Sequence, residues 1–149
     1  MLYKYKQLLE QINNITTYIF GEEHNNSNSV KDIQRKIINI QPDIILSELW
    51  WEDKPFFKKY LPNTKVLPLE PDNKNYKNMN LNDSFQIREK YMLNTIKKYY
   101  NSSNICVIVG DTHLRKTNNK EIKTNSPIYE WSKNKTDVKI IRTKNNEIN

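Results

Sequence analysis

The two histidines and two glycines of this chain fall in two matching tetrads, Gly21-Glu22-Glu23-His24 and Gly110-Asp111-Thr112-His113. Histidine is the commonest metal ligand and an acid–base group near neutral pH. Glycine lets a backbone turn tightly or approach another group closely. Each tetrad follows an apolar, β-branched run, residues 15–20 before the first and 105–109 before the second. Placing both scarce residue types in paired strand-end turns predicts one site assembled from two segments. Two imidazoles and one carboxylate make a three-ligand metal set with a position open for water. A cation held there would acidify that water into a nucleophile.

Several carboxylates could complete such a site. Glu48 ends the sequence Pro42-Asp43-Ile44-Ile45-Leu46-Ser47-Glu48, directly after an apolar strand, where a ligand or general base is well placed. Glu22, Glu23 and Asp111 lie inside the tetrads and suit ligands, bases or partners that orient an imidazole. Glu70 ends the run Val66-Leu67-Pro68-Leu69, but Pro71 follows, so a turn carboxylate fits equally well. Arg88 lies on the stripe of Phe85, Met92, Ile96 and Tyr99. A buried guanidinium there needs a carboxylate or a substrate anion. Arg115, two residues past His113, could also meet an anion, although its polar surroundings predict a solvated side chain. Trp50, Trp51, Phe56 and Phe57 follow Glu48 and suit a pocket wall, a cap on the core, or both.

The elements that must position these residues alternate. A short helix is expected over 2–11, a strand over 15–20, and a helix from the Asn/Ser-rich loop to Pro42, on the spacing of Val30, Ile33, Ile37 and Ile40. A second strand spans 43–47. Residues 50–60 read as a loop and short helix, with Pro55 near the first turn. The strand at 66–69 is placed at an edge by Pro68, which cannot donate to a ladder. Residues 74–82 read as a mobile loop, 83–100 as a long helix, 105–109 as the fourth strand, 114–126 as irregular and 138–141 as a last strand before a fraying end. Strands alternating with helices predict a single α/β domain over 1–149, with three layers and a mainly parallel sheet of four or five strands. Ligands bind such sheets beyond the carboxyl ends of the strands. His24, Glu48, Glu70 and His113 all follow strands, so the topology gathers them at one edge.

Composition narrows the function classes. The net charge is +7, carried mostly by lysines that are scattered rather than grouped with aromatics. That predicts a solvated lysine surface and no nucleic-acid partner. Mean hydropathy is -0.88. One cysteine, Cys106, rules out an internal disulfide framework and reads as an inert core thiol. No window approaches the roughly 20 apolar residues of a membrane span, and residues 1–6 lack the apolar stretch of a signal peptide. A cytoplasmic protein, with a homodimer compatible, is the expectation. Two glycines cannot build a P-loop or a dinucleotide turn, and no nucleophile-elbow sequence is present.

These motifs together resemble the superfamily that unites the TraB/PrgY proteins, the TIKI metalloproteases, the erythromycin esterases and the haem-binding ChaN proteins. Gly21-Glu22-Glu23-His24-Asn25-Asn26 is similar to the Gly-Glu-x-His-Asp-Asn opening of the ChaN branch and to the Gly-x-x-His of TraB and TIKI. Residues 42–48 resemble the strand that ends in glutamate, Arg88-Glu89-Lys90-Tyr91-Met92 the Arg-Asn-x-x-Met helix, and residues 107–113 the closing Gly-x-x-His turn. Glu89 departs from that pattern, standing where the group often has asparagine, and the chain is much shorter than most members. The resemblance implies catalytic or metal roles for His24, Glu48 and His113, with Glu22 and Arg88 in support. Activities differ across the group, so fold and site transfer better than substrate. The expectation is a hydrolase of peptide, amide or ester bonds, acting on a small-molecule or peptide substrate. Its cofactor would be a divalent cation (Mn, Fe, Co or Zn) on His24, Glu48 and His113. The alternative is a non-catalytic protein that binds haem or another small molecule through the same histidines.

Overall fold

The computed structural model describes residues 2–6, 15–70, 78–116, 120–142 and 147–148. Six strands form one sheet in the order β3-β2-β4-β1-β5-β6. They are β1 (Thr17–Glu22), β2 (Ile44–Ser47), β3 (Lys65–Pro68), β4 (Ile105–Gly110), β5 (Val138–Arg142) and β6 (Glu147–Ile148). The first five are parallel. The sixth pairs antiparallel with β5, in a tail expected to fray. Residues 2–6 are helical, and the rest of the helix expected over 2–11 lies outside the described residues, as do residues 74–77 of the expected mobile loop.

The apolar strands carry side chains alternately to two helical layers. Ile19, Ile105, Val107 and Val109 join Met92, Ile96 and Ile128 on one face. Phe20, Cys106 and Ile108 join Ile33, Ile37 and Phe57 on the other. The second face is covered by α1 (Ser27–Ile40) and α2 (Trp50–Tyr60), the first by α3 (Leu81–Tyr99) and α4 (Pro127–Ser132). Continuous apolar strands such as β4 are those of a sheet buried on both faces. Burial also raises the Cys106 thiol, which keeps it protonated in the core.

Local chemistry sets the helix ends. Asn26 caps α1 by accepting from the Asn28 and Ser29 N–H groups. Gln41 closes that helix in the left-handed region, at φ 54°, just before Pro42. Asn80 caps α3 by accepting from the Asp83 N–H, three residues ahead of the start expected from the sequence. Residues 50–60 are one helix rather than a loop and short helix. Pro55 lies inside it, so the Trp51 carbonyl loses its usual helical donor. The α4 helix was not anticipated. Its signal is Ser126-Pro127, an N-cap serine accepting from the Tyr129 N–H with proline opening the first turn.

Chain direction across the sheet reverses once. The path β1-α1-β2-α2-β3 runs toward one edge, leaving a gap that β4 later fills beside β1. The path β3-α3-β4-α4-β5 runs back. Right-handed crossovers therefore put α3 and α4 on the face opposite α1 and α2. Chains leaving β1 and β4 diverge to opposite faces, which opens the crevice where doubly wound sheets bind ligands. Both tetrads sit at that crevice, with Glu22 of β1 level with Gly110 of β4. No helix among the described residues is long and apolar enough to cross a membrane.

Candidate active site

At the carboxyl edge of β1, β2 and β4, acids and bases alternate in a continuous network. His24 Nδ1 lies 2.9 Å from Glu22 Oε2, and its Nε2 lies 3.4 Å from Glu48 Oε2. The other oxygen of Glu48 lies 3.4 Å from His113 Nε2. His113 Nδ1 in turn lies 2.8 Å from Glu89 Oε2, which accepts from Arg115 at 2.5 Å. Arg88 links Glu48 to Glu70, donating from Nη2 at 3.0 Å to the first and 2.5 Å to the second. Four carboxylates (Glu22, Glu48, Glu70, Glu89) thus face four bases (His24, His113, Arg88, Arg115), and every one of them has a partner of opposite kind.

Glu48 is the centre of this network, and the backbone holds it there. Its N–H extends the β2–β4 ladder to the Ile108 carbonyl at 2.9 Å. The Gly110 N–H donates to its Oε2 at 2.7 Å. Burial acts to raise the Glu48 pKa, but His113, His24 and the Gly110 N–H outweigh it and hold the carboxyl well below the usual range. The ion pairs with Glu22 and Glu48 push His24 up to about 10, against partial burial. Burial acts to lower His113, and Glu48 and Glu89 overcome it, so this imidazole is raised too. The surrounding carboxylates thus favour the charged form of both rings. His24 is the open end of the network, its side chain 31% exposed against 4% for His113.

Both glycines lie in strands, and neither has a positive φ. Their expected role as tight-turn residues gives way to close approach. A Cβ on Gly110 would stand 3.0 Å from His24 Nε2 and 3.3 Å from Glu48 Oε2. A Cβ on Gly21 would stand 2.6 Å from Asp111 Oδ1. After Gly110 the chain tightens into a 3-10 turn, Asp111–Leu114, which buries His113 beside β4. The Phe85 ring stacks on His113 with centroids 4.7 Å apart.

Glu22, His24, Glu48, Glu70, Arg88, His113 and Arg115, among the residues singled out in the sequence, belong to this network. Three details differ from expectation. Arg115 is buried rather than solvated. Its N–H groups donate to Glu89, Thr124 and Thr112, so its donors are spent within the protein rather than on an anion. Asp111 leaves the site and forms a two-oxygen pair with Arg142 at 2.9 and 2.7 Å. Glu23 also stays outside, accepting from Asn26 Nδ2. Phe57 joins the core and Phe56 packs against it, whereas Trp51 is exposed, so the two phenylalanines serve packing.

Two buried acids were missed as site residues. Glu89 is wholly buried on α3. It stands four residues after Phe85 and three before Met92, so it shares the apolar stripe on which Arg88 was noticed. Asp53, on α2, accepts from Ser47 Oγ at 2.5 Å. Burial, with Glu22 nearby, pushes its carboxyl up to about 6 despite that hydrogen bond.

A haem iron needs an imidazole nitrogen free to ligate it, and all four ring nitrogens here meet carboxylates. Among the described residues, no group of three His, Cys, Asp or Glu side chains is spaced to hold a metal ion. His24 and His113 each contact Glu48, at 3.4 Å. Comparison with known proteins adds no relative, because no family model, curated protein or solved structure matches the chain.

Proposed function

We propose that the protein is a hydrolase of peptide, amide or ester bonds with His24 and Glu48 at its reacting centre. One observation carries this reading. A single ionised carboxylate lies between two imidazoles, and a second carboxylate backs each of these at Nδ1. A backing carboxylate fixes the ring's orientation and stabilises its charged form, as in acid–base catalysis generally.

In the proposed reaction, water beside Glu48 attacks the acyl carbon and gives a proton to Glu48. His24, at the solvent end, passes its Nε2 proton to the leaving group. The proton on Glu48 then crosses to His24 Nε2, which restores both groups. Arg88 acts by holding the Glu48 carboxylate, and His113 by neutralising its other oxygen.

Turnover of p-nitrophenyl esters and peptide amides tests the proposal. His24→Ala should abolish hydrolysis with the circular dichroism unchanged, and a variant with full activity overturns it. Elemental analysis and a haem titration on the purified protein test the two cofactor expectations. Stoichiometric Mn, Fe, Co or Zn that is lost in a His24→Ala/His113→Ala double variant would replace the proton relay with metal-bound water. A haem absorption band lost in His113→Ala would favour the binding protein instead.

A further inference from the structure

At the far end of the sheet from the histidines, a cavity of about 330 Å³ opens between α2 and the start of β3. Lys54 and Lys58, one turn apart on α2, line it together with Lys65, the first residue of β3. No acidic residue lines it. Its remaining wall is mainly apolar, from Pro62, Val66 and Leu67. The three ammonium groups have no ion pair among the described residues. Lys54 has only the face of Trp50, at 5.5 Å from the ring centroid.

Lys58 lies in the last turn of α2, where a cation meets the favourable end of the helix dipole, but its clustering with Lys54 and Lys65 carries an electrostatic cost. Like charges one turn apart on a helix repel, and a third cation on the facing strand adds to that repulsion. Elsewhere the lysines are scattered or paired. Here a concave wall concentrates positive potential, which is how a cleft raises the local concentration of an anion. Ammonium groups act on phosphate as point charges with rotatable donors, so they need no planar match. The volume falls within the range of small-molecule sites, and an apolar wall beside a few charges is their usual composition.

We propose that this cavity binds a small phosphorylated molecule, with the phosphate among Lys54, Lys58 and Lys65 and the organic part against Pro62 and Leu67. The site is separate from the histidine network and does not depend on the hydrolase reading.

The test uses the whole protein, labelled with ¹⁵N, titrated with adenosine monophosphate, inorganic phosphate and adenosine. Adenosine monophosphate should shift the amides of residues 64–67 saturably, and adenosine should not. A Lys58→Glu/Lys65→Glu variant should weaken binding about tenfold or more. A Lys31→Glu/Lys97→Glu variant, which changes the net charge equally on exposed parts of α1 and α3, should leave it intact. Inorganic phosphate binding as tightly as the nucleotide supports the site and assigns it to the anion alone. No saturable shift at 64–67, or equal weakening by both variants, overturns the proposal. All four lysines changed are exposed, so the variants are expected to fold.

Discussion

Glu48 acts on the charge state of both imidazoles, together with Glu22 at His24 and Glu89 at His113, and this makes it the most informative residue to change. Glu48→Gln keeps the shape and removes the charge between the rings. Hydrolysis is expected to fall by about 10²–10⁴, the usual contribution of a positioned acid–base group. The His24 pKa should also drop from about 10, with Glu22 still supporting it. An NMR titration of the ring checks this, and an unmoved His24 would show that Glu48 is not its partner. Glu89 acts at greater depth. Glu89→Ala would leave Arg115 and His113 charged and buried without their shared carboxylate. Breaking a buried pair from one side costs about 3–5 kcal/mol, to be read from urea denaturation. A loss below about 1 kcal/mol would mean the pair is solvated in solution.

Strand ends and the turns after them convert sequence into site geometry. The two glycines occupy equivalent places in β1 and β4 but guard different contacts. Gly21→Ala would drive a methyl group into Asp111 Oδ1, with Leu114 Cδ1 at 3.1 Å and the Asp111 backbone at 3.4 Å. Asp111 would have to give up its pairing with Arg142. Overpacking of this kind costs about 1–3 kcal/mol, so a lowered Tm is expected. Gly110→Ala meets only side-chain ends, those of His24, Glu48 and His113. His24 is the most exposed of these and can swing away, so Tm should change little while hydrolysis falls. The opposite pattern, a stable Gly21→Ala and an unstable Gly110→Ala, would refute this account of the tetrads.

Across the whole molecule, buried charge ties stability to pH in opposite directions. The folded His24 titrates at about 10 against about 6.5 when unfolded, so its contribution is full below pH 6.5 and is lost as pH rises through 10. Glu48 is lowered, so its contribution is present above the ordinary carboxylate pKa and lost on acidification. Asp53 runs the other way for an acid. Folding takes up its proton between about pH 4 and about pH 6, so stability falls as pH rises through that window. Asp53→Asn should remove this part of the slope, measured by denaturation at pH 4, 5, 6 and 7. An unchanged slope would show that Asp53 is ionised in the folded protein.

The sequence by itself determined the layers and the edge at which the site lies. Apolar runs interrupted by helical stripes specify a parallel sheet covered on both faces, because no other arrangement buries both the runs and the stripes. His24, Glu48 and His113 then reach one edge because each follows a strand, and parallel strands end together. Tertiary structure alone decided which acids meet which bases. Asp111 and Glu22 hold comparable places in their tetrads, yet one turns to Arg142 at the end of β5 and the other to His24. Arg115 reads as a loop cation until packing brings Thr124 and Glu89 around it. Glu89 and Asp53 read as ordinary helix acids until packing removes their water. Position along a strand is a local property with a fixed period, whereas ion pairing depends on side-chain direction and on distant neighbours, such as Glu70 and Glu48, 18 and 40 residues from Arg88.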